Sequence, residues 1–323
     1  MPPFPLDNSL LSHEQRILVA CSGGADSMAL LWALHRDKYR LVAGHINHGL
    51  RGEENRLDEE FVRRKCGMLD IPFESRRLNF DGTKPHEAEL REARYAALLE
   101  LAREYSCPVI ATGHTATDVL ETVMLNMLRG AAVTGLCGIA PERQLAEDIR
   151  LVRPLLGTTR EAVREGLVLM GQDWREDSSN DDPIYLRNRV RHELLPVLSR
   201  LTDEASLACS MERSGQILRD DIELLDALAG EELEKLTLKH EGSVLVLDGL
   251  VFRELPVALQ RRVLREALPA VGDHTRDLKF ERFEEVRLAV VGNRRRTVWQ
   301  WRANLKVEWT GEHSGNRIRF SRV

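Results

Sequence analysis

Arg16-Ile-Leu-Val-Ala-Cys21 is an apolar run that passes directly into Ser22-Gly-Gly-Ala-Asp-Ser27, and this junction narrows the possible folds more than any other stretch of the chain. The run is short, lacks polar alternation and ends in glycines, as a strand buried on both faces does. A helix is expected from Ser27 to His35, with Met28, Leu30, Leu31 and Leu34 on its apolar side. The same alternation then repeats. Strands are expected at Leu41–Ile46, Pro72–Leu78, Val109–Thr112 and Ile149–Val152, and helices at Pro85–Tyr105, Thr115–Arg129 and Thr158–Met170. Strands alternating with helices imply an α/β fold with a doubly wound parallel sheet, whose ligands bind beyond the carboxyl ends of the strands.

At 323 residues the chain is long for one core, which predicts two domains. Asp177 to Pro183 is polar and loop-like, and a helical stretch resumes at Leu186. Past about Arg200 the character changes: Asp203–Lys239 reads as one or two charged amphipathic helices, Leu255–Leu268 as another, and Thr297–Trp309 and Arg317–Val323 as strands. The expected organisation is therefore 1–200 as the catalytic domain and 201–323 as a second, smaller, mostly helical α+β domain. No apolar run is long enough to span a bilayer, and the N-terminus has no secretory pattern. Five widely spaced cysteines without a C-x-x-C pair disfavour a disulfide framework, a zinc ribbon or a redox motif. A cytoplasmic protein is expected. The net charge of −5 excludes nothing, because nucleic acid is bound by local patches.

Ser22 to Ser27 lies where backbone N–H groups and the positive end of a helix can hold an anion. Gly23 and Gly24 allow close backbone approach, while Ser22 and Ser27 offer hydroxyls. Asp26 repels a bare phosphate, so it meets a divalent metal or an ammonium group. The alternative is a plain glycine-rich turn with Asp as a helix cap. Neither a Walker loop nor a G-x-G-x-x-G follows the strand. S-G-G-x-D-S in this position is instead similar to the pyrophosphate-binding PP-loop of N-type ATP pyrophosphatases, a Rossmann-like class. The resemblance implies that Ser22, Gly23, Gly24, Ala25, Asp26 and Ser27 bind ATP, with Asp26 toward Mg²⁺.

Further motifs narrow the family. Gly44-His-Ile-Asn-His-Gly-Leu-Arg51 ends the second strand. A zinc reading of His45 and His48 is weak, because an odd spacing along a strand sends them to opposite faces. Glu87-Ala-Glu-Leu-Arg91-Glu-Ala-Arg94-Tyr95 is by itself a salt-bridged helix face. In Thr112-Gly-His114-Thr-Ala-Thr-Asp118-Val-Leu-Glu121, the three ionisable residues share one helical face, which is otherwise an ordinary solvated side. Trp174-Arg-Glu-Asp-Ser-Ser-Asn180 precedes Arg187-Asn-Arg189-Val-Arg191-His-Glu-Leu-Leu-Pro196, whose arginines fan around a helix as a charge cluster does. Taken in order, these segments resemble tRNA(Ile)-lysidine synthetases over residues 16 to about 200. In the second half the resemblance rests on Leu255-Pro-x-x-Leu-Gln-Arg261-Arg262-Val-Leu-Arg265. Many members carry a further C-terminal domain, which a chain of this length is expected to lack.

The resemblance implies ATP-dependent joining of free L-lysine to the wobble cytidine of a CAU-anticodon tRNA(Ile), through an adenylated cytidine, with release of AMP and pyrophosphate. It assigns His48 and Arg51 to the nucleotide pocket, and Arg91, Arg94, Asp118, Glu121, Arg187 and Asn188 to the substrates. Asp26, His114, Asp118, Glu121, Arg189 and Arg191 become the catalytic candidates. Arg261, Arg262 and Arg265 are expected to contact tRNA phosphates, with Arg294-Arg295-Arg296 a further basic patch. Trp299, Trp301 and Trp309 are expected to be sheet core rather than base-stacking residues. A homodimer is one option for the assembly. The competing readings are a PP-loop tRNA thiolase, which requires a cysteine set that Cys107 and Cys137 do not provide, and a non-catalytic nucleotide-gated RNA-binding protein, which has no need of Asp26, Asp118 and Glu121.

Overall fold

The β-α alternation continues through the first two thirds of the chain in the computed structural model, which describes residues 3–49, 52–80, 85, 87–131, 133–176, 186–274, 278–311 and 315–322. The chain divides into two units, Met1–Leu218 and Arg219–Val323. The first contains β1 (Arg16–Ala20), α1 (Ala25–Arg36), β2 (Arg40–Asn47), α2 (Glu53–Met68), β3 (Phe73–Arg77), α3 (Glu87–Glu104), β4 (Val109–Ala111), α4 (Ala116–Leu128), α5 (Val133–Leu136), β5 (Glu142–Ala146), β6 (Ile149–Val152) and α6 (Arg160–Leu169). α7 (Leu186–Arg189) follows, then a π-helical turn (Val190–Leu194), α8 (Leu195–Ser199) and the start of α9 (Glu204–Leu236).

The sheet order is β3-β2-β1-β4-β6-β5, with every pairing parallel except that of the edge strand β5. Successive residues of the central strands enter different cores. Ile17, Val19, Ala43 and Ala111 pack with α1 and α2, while Leu18, Val42 and Ile110 pack with Leu98 and Leu101 of α3. Coverage of both faces explains why these strands are continuously apolar. Strand order reverses between β1 and β4, so the loops after those two strands flank the crevice where ligands of such sheets bind.

Sequence reasoning passed over α2, although two parallel neighbours, β2 and β3, require a crossover between them. The reason is its composition: Asn55, Asp58 and Lys65 are buried beside Phe61, Val62 and Cys66, so no clean apolar stripe marks it. β5 was missed because it is a polar, largely exposed edge strand.

The second unit holds the end of α9 with β7 (Thr237–Glu241), β8 (Val244–Asp248), α10 (Gly249–Glu254), α11 (Val257–Ala270), α12 (Phe280–Val291), β9 (Thr297–Arg302), β10 (Leu305–Trp309) and β11 (Arg317–Arg322). Its antiparallel sheet runs β7-β8-β11-β10-β9. Leu245, Leu247, Val307, Trp309, Ile318 and Phe320 are fully buried with Val263, Leu264 and Val286 of the helices. Trp301 meets Phe283 edge-on at 4.9 Å, and Trp299 packs against the same core, so the tryptophans are core residues as expected. Among the described residues no helix is long and apolar enough to cross a membrane.

Candidate active site

The loop after β1 is held by its own serines. Ser22 N donates to Ser27 Oγ (3.2 Å), Gly24 N donates to Ser22 Oγ (3.3 Å), and Ser27 Oγ donates to Gly24 O (3.0 Å). Gly23 takes φ +95°, which only glycine adopts without strain. Gly24 caps α1 and offers no side-chain acceptor, so the first turn of the helix is presented to a ligand rather than closed by its own sequence. The loop after β4 approaches so closely that a Cβ on Gly113 would lie 2.7 Å from the carbonyl of Asp26. Arg175 borders the loop on its other side: its N donates to Gly23 O (2.9 Å) and its Nε to Asp58 Oδ1 of α2 (2.9 Å).

At the mouth of this loop, Asp26, Asp118 and Glu121 meet Arg160, Arg187 and Arg191. Arg160 bridges all three carboxylates, donating to Asp26 Oδ2 (3.2 Å), Asp118 Oδ1 (2.9 Å) and Glu121 Oε1 (3.1 Å). Arg187 donates to Glu121 Oε2 (2.8 Å) and Asp118 Oδ1 (3.0 Å), and Arg191 grips both oxygens of Glu121 (2.6 and 3.1 Å). Asp118 Oδ2 also accepts from Thr115 N and Oγ1 (2.9 Å each), which closes the N-terminus of α4. α4 carries Asp118 and Glu121 at i,i+3 and packs through Ala116 and Leu120 on Val190 and Leu195, which brings Arg187 and Arg191 onto the carboxylates.

These carboxyls differ in acidity. Burial pushes Asp26 up from 3.8 to about 6, because Arg160 only partly offsets desolvation and Asp118 adds repulsion; its Oδ1 is buried and has no hydrogen-bond partner among the described residues. Burial also acts on Asp118 and Glu121, but their arginines outweigh it and hold both below the usual range. His114 is lowered to about 4, chiefly by burial with Arg153 and Arg94 adding to it, so it is neutral near pH 7. An unpartnered buried carboxylate oxygen beside an uncapped helix end fits a hard divalent cation shared with phosphate oxygens, since Mg²⁺ usually takes only one or two protein carboxylates.

Other expected residues stand outside this lattice of ion pairs. His114 precedes α4 and bonds Thr112 Oγ1 through Nδ1 (2.9 Å), so it is not on the helical face of Asp118. Arg189 faces outward to Glu193 (3.0 Å), because two residues of helix turn it away from Arg187 and Arg191. His45 Nδ1 bonds Cys21 O (2.8 Å) as a buried tie between β2 and the loop, and His48 lies just past β2. Asn188 is buried. Leu50, Arg51 and Asp177 to Pro183 fall outside the described residues, as does the Glu87 side chain. In the second unit, Arg261 pairs with Glu284 (2.8 Å), Arg262 with Asp226, and Arg265 lies over the Phe283 ring (5.9 Å). The expected cluster of free cations is thus largely neutralised.

Sequence reasoning missed Arg160, Arg175 and Asp58. Arg160 did leave a signal: a cation at the first position of a helix opposes the macrodipole and needs a reason to be there.

A doubly wound sheet with a serine–glycine anion loop at its switch point, lined by acids and arginines, defines a PP-loop, ATP-binding protein. Residues 5–198 match the PP-loop domain and residues 247–311 the TilS substrate binding domain. The tRNA(Ile)-lysidine synthase of Rhodopirellula baltica is 37% identical over 250 residues, covering 70% of this chain and 62% of its own. That of Geobacter sulfurreducens is 33% identical over 330 residues, covering 99% and 68%. The chain belongs to the tRNA(Ile)-lysidine synthase family, and it spans only about three fifths to two thirds of the length of these two relatives. Among solved structures, the U34-tRNA thiolase NcsA from Methanococcus maripaludis, with its [4Fe-4S] cluster, superposes with a TM-score of 0.55 at 18% identity, over 66% of this chain and 76% of that one; this likeness concerns the fold.

Proposed function

We propose that the chain joins free L-lysine to the wobble cytidine of the CAU-anticodon tRNA(Ile), using ATP and releasing AMP and pyrophosphate. The observation that carries this reading is the lattice in which Arg160 bridges Asp26, Asp118 and Glu121 at the mouth of the anion loop. In the first step the cytidine carbonyl oxygen attacks the α-phosphorus, a carbon–oxygen–phosphorus link forms, and the bond to pyrophosphate breaks. In the second the lysine ε-amine attacks that carbonyl carbon, AMP leaves with the oxygen, and the amine gives up a proton. Residues 1–200 would carry these steps and 201–323 would hold tRNA.

Ser22 to Ser27 would receive the pyrophosphate, with His48 and Arg51 completing the pocket. Mg²⁺ held by Asp26 and phosphate oxygens would offset the charge of the departing group. Arg160, Arg187 and Arg191 are balanced by carboxylates in the free protein. An arriving triphosphate would compete for them, and each guanidinium drawn to phosphate would free a carboxylate oxygen of Asp118 or Glu121. Both carboxylates stay ionised near neutral pH and so attract the lysine ammonium. Only about one lysine amine in 2,500 is neutral at pH 7, a barrier of roughly 4.6 kcal/mol, so a proton acceptor is needed. Asp118 and Glu121 are the candidate acceptors, freed for that role as guanidinium groups move to phosphate, with His114, at about 4, the alternative. Arg91, Arg94 and Asn188 would border the cytidine, held in a splayed anticodon loop.

The thiolase reading gains no support from the cysteines: burial raises the Cys66 thiol to about 12 and that of Cys107 to about 11, which suppresses the thiolate that sulfur chemistry needs. Incubation with bulk tRNA, ATP and labelled lysine, followed by nucleoside analysis, tests the proposal. Label should appear in one modified cytidine, and adenylated tRNA should accumulate when lysine is withheld. Lysyl-adenylate formed without tRNA would overturn the order of steps.

A further inference from the structure

The guanidinium groups that meet the carboxylate lattice are each matched by an acid, which makes one neighbouring group conspicuous. Tyr95, a buried residue of α3, has the guanidinium carbons of Arg91, Arg94 and Arg143 at 5.8, 5.2 and 5.1 Å from its ring centre. Arg153 lies just past the carboxyl end of β6 and is 3% exposed. Its Nη1 donates to Ala140 O (2.6 Å) and its backbone N to Pro141 O (2.9 Å). Among the described residues no carboxylate forms an ion pair with any of the four arginines.

We propose that Arg91, Arg94, Arg143 and Arg153, grouped around Tyr95, form a site for backbone phosphates of the RNA strand that enters the catalytic crevice. The assignment rests on the RNA-modifying reading above and extends it to Arg143, Arg153 and Tyr95.

Like charges gathered at one side chain repel, and a buried cation such as Arg153 that no carboxylate offsets is unfavourable. Cation–π contact is too weak to offset this for three guanidinium groups sharing one phenol ring. Tyr95 and Arg153 interact with each other, but no acid offsets the four guanidinium charges, so the missing partner is an anion from solution. The phenol supports the same view. Burial would raise it, yet Arg94, Arg91 and Arg153 hold it below its ordinary value, so the local potential is positive. Four cations exceed what one amino-acid carboxylate needs. They are also graded in depth, with Arg153 buried and Arg91 and Arg143 exposed, which suits successive phosphates of a strand. Arg143 sits on β5, the open edge of the sheet, where a macromolecule can reach it. Arg153 follows Val152, whose carbonyl accepts from Thr112 N (3.0 Å) at the end of β4, which places the group beside the loop that carries His114.

The test is equilibrium binding of a CAU-anticodon tRNA(Ile) transcript across a KCl series, with KM for lysine measured in parallel. Arg143→Gln and Arg153→Gln should each weaken RNA binding about tenfold, and each should flatten the log–log salt slope by about one. Arg153→Lys should recover part of the affinity, and the lysine KM should stay at its wild-type value. If Arg153→Gln fails to fold, the exposed Arg143 variant still decides the matter. A wild-type affinity and salt slope in an Arg143→Gln protein that melts normally would overturn the assignment. So would a raised lysine KM with an unchanged slope, because that marks a carboxylate subsite. Wild-type protein that binds this RNA but forms no lysidine would sink the reaction and leave the phosphate site standing.

Discussion

Replacing Asp26 by Asn should make the free protein more stable while disabling it. The carboxyl is 22% exposed, one oxygen has no partner, and the other accepts a single 3.2 Å hydrogen bond from Arg160. Burial is the main reason it titrates near 6 instead of 3.8. Between those values the folded state holds the proton that the unfolded chain has lost, so the group's contribution to stability falls as pH rises from 3.8 to about 6 and is fully unfavourable above that. A little over two pH units at about 1.36 kcal/mol each gives about 3 kcal/mol. Asn carries no charge at any pH, so the variant should gain up to about 3 kcal/mol at pH 8. That is roughly 6–12 °C in Tm for a domain of this size. The advantage should shrink as pH falls and vanish near pH 4, and contributions from all other groups cancel in the comparison. Melting curves at both pH values, with and without Mg·ATP, provide the assay. Mg·ATP should raise the wild-type Tm more than that of the variant, and turnover of Asp26→Asn should fall by roughly 100-fold or more. A variant that melts at or below wild type at pH 8, or whose gain is independent of pH, refutes the reasoning.

Arg160→Ala leaves Asp26, Asp118 and Glu121 facing one another with one fewer cation, so urea unfolding should show a loss of about 3–5 kcal/mol; a loss below about 1 kcal/mol would show that Arg187 and Arg191 suffice. Gly113→Ala places a methyl 2.7 Å from the Asp26 carbonyl, so it should reduce stability by about 1–3 kcal/mol and weaken nucleotide binding measured by calorimetry. Unchanged nucleotide affinity would mean that the loop yields without consequence. Because Arg261 and Arg262 are paired with Glu284 and Asp226, replacing Arg261, Arg262 and Arg265 together by Ala should flatten the salt slope of tRNA binding by about one. A change of about three would show that the ion pairs open on RNA.

Local information settled much of this protein. The apolar run before Ser22-Gly23-Gly24, the helix after it and the ordered motifs along residues 16–200 were sufficient for the doubly wound sheet, the anion loop and the family, because strand burial, glycine turns and helix starts depend on neighbouring residues. Which charges meet was another matter. Glu121 finds Arg160 and Arg191 across 39 and 70 residues, and Arg262 finds Asp226 across 36, so no spacing rule reveals these pairs. The same limit separated Arg191, turned into the site, from Arg189, turned out to Glu193, and it hid α2, whose buried face includes Asn55, Asp58 and Lys65. Periodicity reports how a segment meets water. The partner of a buried charge is chosen by the approach of distant elements, here α4, α6 and the helix after Leu186, and only the tertiary structure brings them together.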